Sequence, residues 1–165
     1  MKILNNLPKR KQIRLKNFDY NTPGGYFVTI CTKNKVNYFW EGVGTSIARP
    51  QYIPLNKNGK IAEIAIQNIE NIYKKITVDK YVIMPNHIHI LLQIHSDDNG
   101  RPMVVPTISQ VIQQMKGFVS KNVGKSIWQP RFYDHVIRGE QDYKEICEYI
   151  ENNPKKWEED EFYTK

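Results

Sequence analysis

The sequence predicts an α+β domain: an antiparallel sheet with helices on one face, plus a C-terminal helix. Three observations predict it. Short runs rich in β-branched and aromatic residues alternate with segments whose apolar residues recur at helical spacing. Pro, Gly and Asn punctuate the junctions. The 165 residues contain no internal repeat and no low-complexity tract, a length that suits one domain over 1–165 with a real core.

The elements follow in order. "LPKRKQIRLKNF" is basic without a period, and it reads either as a solvated tail or as an arm of about residues 1–20 that tracks phosphates by charge. Behind Pro23, Gly24 and Gly25, a first strand is expected near Tyr26–Thr32. The stretch from Glu41 to Asn56 reads as a loop or hairpin with no assignable role. Ile61, Ala65, Ile69, Ile72 and Ile76 then recur at helical spacing after a cap at Asn56 or Asn58, predicting a helix of roughly four turns. "DKYVIM" and "HIHILLQI" read as strands joined by Met84-Pro85-Asn86, because proline cannot donate to a ladder and belongs at a turn. Thr107 with Gln110 forms a capping box for a second helix, whose buried stripe is Ile108, Val111, Ile112, Met115 and Val119. "RFYDHVIR" reads as a fourth strand. A last helix is expected from about Glu140 to Asn152, with Glu140 and Asp142 suiting the positive end of its dipole. Asn153 precedes Pro154, which ends that helix and leaves a tail of about 155–165. Strand, helix, strand, strand, helix, strand is the order of a split βαβ unit, as in ferredoxin-like folds.

Composition narrows the function. Hydrophobic residues are 40% and charged residues 25%, as in ordinary globular chains rather than disordered ones. No apolar run reaches membrane-span length and the start lacks a signal-peptide core, so a cytoplasmic protein is expected. A net charge of +7 favours a polyanionic partner, most commonly nucleic acid. Cys31 and Cys147 sit in apolar stretches and read as reduced core thiols.

Three of the four histidines lie in "VIMPNHIHILLQIH". Strand side chains alternate faces, so His87, His89 and Leu91 share one face while Ile88, Ile90, Leu92 and Ile94 share the other. The isoleucine face meets the helices. The two imidazoles converge on the opposite side, where they either share a divalent ion or stand as polar groups on a solvated sheet.

The last helix brings further groups. Its apolar stripe is Tyr143, Ile146, Cys147 and Ile150. Tyr149 lies to one side, and Asn153, four residues later, stands above it on the same flank. A tyrosine hydroxyl, with a pKa of about 10, is a weak nucleophile. Beside a metal that polarises a phosphate it can attack phosphorus, with an Asn153 amide oxygen completing the ligand set. Asn152 is the alternative ligand and Tyr143 the alternative nucleophile. Lys116, Arg131 and Arg138 are candidate phosphate contacts, as are Arg10, Lys11 and Arg14 of the arm.

"MPNHIHILL" resembles the histidine–hydrophobe–histidine motif of the HUH enzymes. "WQPRFYDHVIRGEQDYKEICEYIENNPKKW" resembles the closing segment of the REP-associated tyrosine transposases, and "IRLKNFDYNTPGGYFVTICTKNK" resembles their first strand. The resemblance spans nearly the whole chain. It implies an enzyme that cuts single-stranded DNA beside a hairpin through a 5′-phosphotyrosine link and can rejoin strands without ATP. It implies Tyr149 as the nucleophile, His87, His89 and Asn153 as ligands, and Mg2+ or Mn2+ as the ion. Relatives include monomers and dimers, so a homodimer with the tyrosine acting in trans is one expectation, and a bacterial nucleoid-associated location another.

Two other functions fit parts of the pattern. A DNA-binding relative without catalysis would keep the fold. A histidine-triad nucleotide hydrolase would want a third histidine where Leu91 stands.

Overall fold

The computed structural model describes residues 18–42, 54–96 and 106–164. Arg10, Lys11 and Arg14 and most of the Glu41–Asn56 loop lie outside these residues.

Four antiparallel strands form one sheet: β1 (Gly24–Cys31), β2 (Ile76–Ile83), β3 (His87–Ile94) and β4 (Tyr133–Val136), in the order β2-β3-β1-β4. This is the expected split βαβ order. The central pairing sets Thr29 opposite His89 and Cys31 opposite His87. Because opposed residues share a face, Phe27, Thr29, His87, His89 and Leu91 line one side of the sheet.

The other side carries the main core. Val28, Ile30, Ile88, Ile90, Leu92 and Ile94 are fully buried there, and each contributes about 1.5–3 kcal/mol by leaving water. Helix α1 (Lys57–Gln67) lies on this side, tied to β2 where the Tyr81 hydroxyl donates to Glu63 Oε1 at 3.2 Å. Helix α3 (Ile108–Val123) packs beside α1. Its Thr107–Gln110 capping box is present, and all five expected stripe residues are buried.

The first helix departs from expectation. Asn56 is its cap, accepting from Gly59 N, but the helix stops at Gln67 and a single turn, α2 (Ile69–Ile72), follows. Ile76 is the first residue of β2, and Ile72 is 53% exposed. The buried stripe is Ala62, Ala65, Ile66 and Ile69, so the isoleucine spacing ran past the helix end into the next strand. β2 correspondingly starts three residues before Asp79. Asp79 sits at a β-bulge between Val78 and Lys80, so it has no partner in the β2–β3 register.

Helix α4 (Glu140–Asn152) has the expected bounds. It packs on the histidine side of the sheet, against β2, through the Tyr143 hydroxyl donating to Asp79 Oδ2 at 3.1 Å and a Lys80–Glu151 ion pair. Both cysteines are free thiols. Among the described residues, no helix is long and apolar enough to cross a membrane.

Candidate metal and tyrosine site

The histidine face is not solvated. His87 is 0% and His89 2% exposed, with ring centroids 4.7 Å apart. Phe27 stacks on His89 at 5.2 Å, while Tyr149 covers it from α4 at 5.1 Å. The segment after α4, a 3-10 turn over Pro154–Glu159 and the residues beyond, closes the other flank. Trp157 and Phe162 lie 6.0 and 4.7 Å from the His87 ring.

Hydrogen bonding decides which imidazole nitrogen faces the site. Asn86 Nδ2 donates to two backbone carbonyls, Lys35 O and Phe162 O, so its Oδ1 must be the atom 2.9 Å from His87 Nδ1. An oxygen there requires a proton on Nδ1. His87 Nε2 is therefore a bare lone pair, and among the described residues it is buried without a hydrogen-bond partner. His89 Nδ1 is engaged by Thr29 Oγ1 at 2.8 Å, which leaves Nε2 pointing toward the Tyr149 hydroxyl, 3.2 Å away. Burial, then the neighbouring His89 and Lys35, push the His87 pKa well below its ordinary value. Burial brings His89 down to about 3. Both rings are neutral at physiological pH, the form that binds metals.

Tyr149 and Asn153 come from the end of α4, which is held at both ends. At its start, His135 Nε2 meets both Asp142 oxygens at 3.0 and 2.9 Å, and Asp142 Oδ2 accepts from Arg138 N at 2.7 Å. His135 therefore anchors β4 to α4. Further along, the contacts to Asp79 and Lys80 hold the helix to β2. Burial, then the carboxylates of Asp160 and Glu161, push the Tyr149 hydroxyl well above its ordinary pKa. The Asn153 side chain favours the ionised forms of both Tyr149 and Asp160, and its Oδ1 is buried without a partner among the described residues. The alternatives lie elsewhere. Asn152 Nδ2 donates to Glu148 O within its own helix, and the Tyr143 hydroxyl is bound to Asp79.

One group was missed in sequence. Asp160 lies in the C-terminal tail, with its Oδ2 3.8 Å from His87 Nε2 and its side chain 5% exposed. The ligand atoms of His87, His89 and Asp160 lie within 4.8 Å of one another. Nothing in "EEDEF" distinguishes this aspartate from its acidic neighbours; only the return of the tail selects it.

These donors fit a divalent cation: two neutral imidazole nitrogens, a carboxylate oxygen and an amide oxygen, with two of these atoms buried and unpaired among the described residues. Among the described residues the candidate phosphate contacts are Lys116, Arg131 and Arg138. Lys116 Nζ donates to Gln129 O at 2.8 Å and Arg131 O at 3.0 Å, and burial lowers its pKa to about 8. Arg131 and Arg138 are exposed.

No protein-family model matches the chain. A Haemophilus influenzae protein, named only as uncharacterized, is 34% identical over 94% of this chain and 93% of its own length. The Escherichia coli REP-associated tyrosine transposase is 31% identical over 48% of this chain and 44% of its own. The chain belongs to one family with the Haemophilus protein, and about half of it is similar in sequence to the Escherichia coli REP-associated tyrosine transposase. A solved REP-associated tyrosine transposase bound to a REP hairpin superposes over 86% of this chain and 73% of its own, with a TM-score of 0.58 and 22% identity, a likeness of fold. The match to the Escherichia coli relative spans less than half of that protein.

Proposed function

We propose that this protein is a metal-dependent DNA strand transferase of the single-tyrosine HUH class, cutting and rejoining single-stranded DNA beside hairpins. The observation that supports this most is the 3.2 Å approach of the Tyr149 hydroxyl to a buried His89, within one chain and beside the unpaired nitrogen of His87. The names of its relatives and the hairpin bound by the structural neighbour support DNA as the partner.

In this reading Tyr149 Oη attacks the scissile phosphorus. The new tyrosine–phosphate bond replaces the bond to the 3′ oxygen, leaving a 5′-phosphotyrosine and a free 3′-hydroxyl. The phenol proton is balanced by that hydroxyl. Reversal by a 3′-hydroxyl rejoins DNA, because the ester retains the energy of the broken bond. His87, His89 and Asn153 would hold Mg2+ or Mn2+, which supplies neutralisation of charge on the phosphate. Asn86 holds His87 in the ligating tautomer, and Thr29 orients the His89 ring. Phe27 and Trp157 keep water from the ring faces. In this reading Tyr149 acts in cis, which the packing of α4 on its own sheet supports.

Covalent capture tests the reading. The protein is mixed with labelled single-stranded hairpins drawn from repeats flanking its gene, with Mn2+, and run on a denaturing gel. A shifted DNA band is expected from the wild type, absent with Tyr149→Phe and with His87→Ala. A band that survives Tyr149→Phe would refute the assignment of the nucleophile. Tight binding with no adduct on any hairpin would favour a DNA-binding module without catalysis.

A further inference from the structure

We propose that Asp160, carried by the C-terminal tail, is a ligand of the same cation as His87 and His89, so that the ion fastens the tail over the site. The proposal rests on the metal-site reading above and extends it to a residue outside the expected ligand set.

The geometry starts from two acceptors. His87 Nε2 is a lone pair, because Asn86 fixes the proton on Nδ1. Asp160 Oδ2 faces it across 3.8 Å. The other oxygen, Oδ1, accepts from Phe162 N at 2.7 Å, so the carboxylate is oriented with Oδ2 toward the imidazole. His87 Nε2, unpaired among the described residues, faces a buried carboxylate that takes a hydrogen bond from the Asn153 side chain; two acceptors so placed are unfavourable together, and a shared positive charge would relieve this. The neutral imidazole does not supply that charge.

The tail is built to deliver this group. Phe162 O accepts from Asn86 Nδ2 at 2.8 Å, and Glu161 O accepts from Lys35 Nζ at 3.1 Å. Thr164 Oγ1 lies 3.2 Å from Asn37 Oδ1. Asn86 is thus shared: its amide holds the tail while its oxygen sets the His87 tautomer. Tail position and ligand state are coupled through one side chain. A bound cation would strengthen this closure, and loss of the tail would remove one anionic ligand.

Mn2+ binding, followed by electron paramagnetic resonance on the DNA-free protein, tests this together with tryptic cleavage after Lys155 and Lys156. Asp160→Asn is nearly isosteric and keeps an oxygen for Phe162 N; circular dichroism confirms that it folds. It is expected to weaken Mn2+ binding by about tenfold or more. Mn2+ is expected to slow tail cleavage in the wild type and to lose that protection in Asp160→Asn, with Asp160→Glu restoring part of both. If His87→Ala abolishes binding while Asp160→Asn binds and is protected like the wild type, the ion site stands and Asp160 is not its ligand. If the wild type takes up no Mn2+, the metal-site reading itself fails and this proposal with it.

Discussion

The Tyr149 hydroxyl lies 3.2 Å from His89 Nε2, joining the last helix of the chain to the middle of its sheet. The contact puts an ordinarily weak nucleophile beside a ring whose other nitrogen is already committed to Thr29. The tyrosine and the candidate metal ligands therefore lie side by side at one site.

Tyr149→Phe should separate chemistry from binding. The phenylalanine ring keeps the packing against Phe27 and His89, so the variant should fold and lose about 1 kcal/mol or less with the hydrogen bond. Its Mn2+ affinity, measured by calorimetry, should stay near that of the wild type while covalent capture disappears. A large loss of affinity would mean that the hydroxyl is itself a ligand.

Asn86→Leu should weaken the metal site although Asn86 is not itself a ligand, through the His87 tautomer and through the tail that its amide holds. It removes the acceptor that keeps the proton on His87 Nδ1, and such supporting contacts are typically worth about 10–100-fold in metal affinity. Calorimetric titration with Mn2+ reads the change. Affinity equal to the wild type would show that neither the His87 tautomer nor the tail position depends on Asn86.

Asp142→Ala should loosen the start of α4. It removes the contacts to His135 and to Arg138 N, and the half-exposed setting limits the cost to about 1–2 kcal/mol. Thermal melting should move down by a few degrees, and strand cleavage should slow although Tyr149 lies two turns away. Unchanged melting and unchanged cleavage would remove His135 and Asp142 from the positioning of the helix.

Acid should destabilise the metal-free protein early. His89 titrates near 6.5 when unfolded but at about 3 when folded, and His87 is also lowered. Between those values the unfolded chain binds protons that the native site refuses, so stability falls as pH drops, by about 1.4 kcal/mol per pH unit for each histidine. The raised pKa of Asp160 works the other way: the native carboxyl takes up its proton first, which offsets part of the loss in the acid range. Urea melts from pH 7.5 to 4.5 should show the decline starting near pH 6.5, and His89→Gln should flatten it. A flat profile in the wild type would mean that the rings reach water.

What the sequence determined by itself is local. Period-two alternation put His87 and His89 on one face because strand geometry allows nothing else, and Thr107, Gln110 and the acidic turn at Glu140 marked helix starts through contacts a few residues long. The i and i+4 relation of Tyr149 to Asn153 is of the same kind. The end of α1 was not legible, because Ile72 and Ile76 continue an apolar spacing that does not reveal where the chain turns back into β2. Tertiary structure alone decided the rest. It buried the histidine face under α4 and the tail, and it turned Asn86 so that His87 presents a bare nitrogen. It also selected Asp160 from a run of acidic residues by folding the chain end back across the sheet. Those outcomes depend on residues 51 to 76 positions apart meeting in space, and no period or short motif encodes such a meeting.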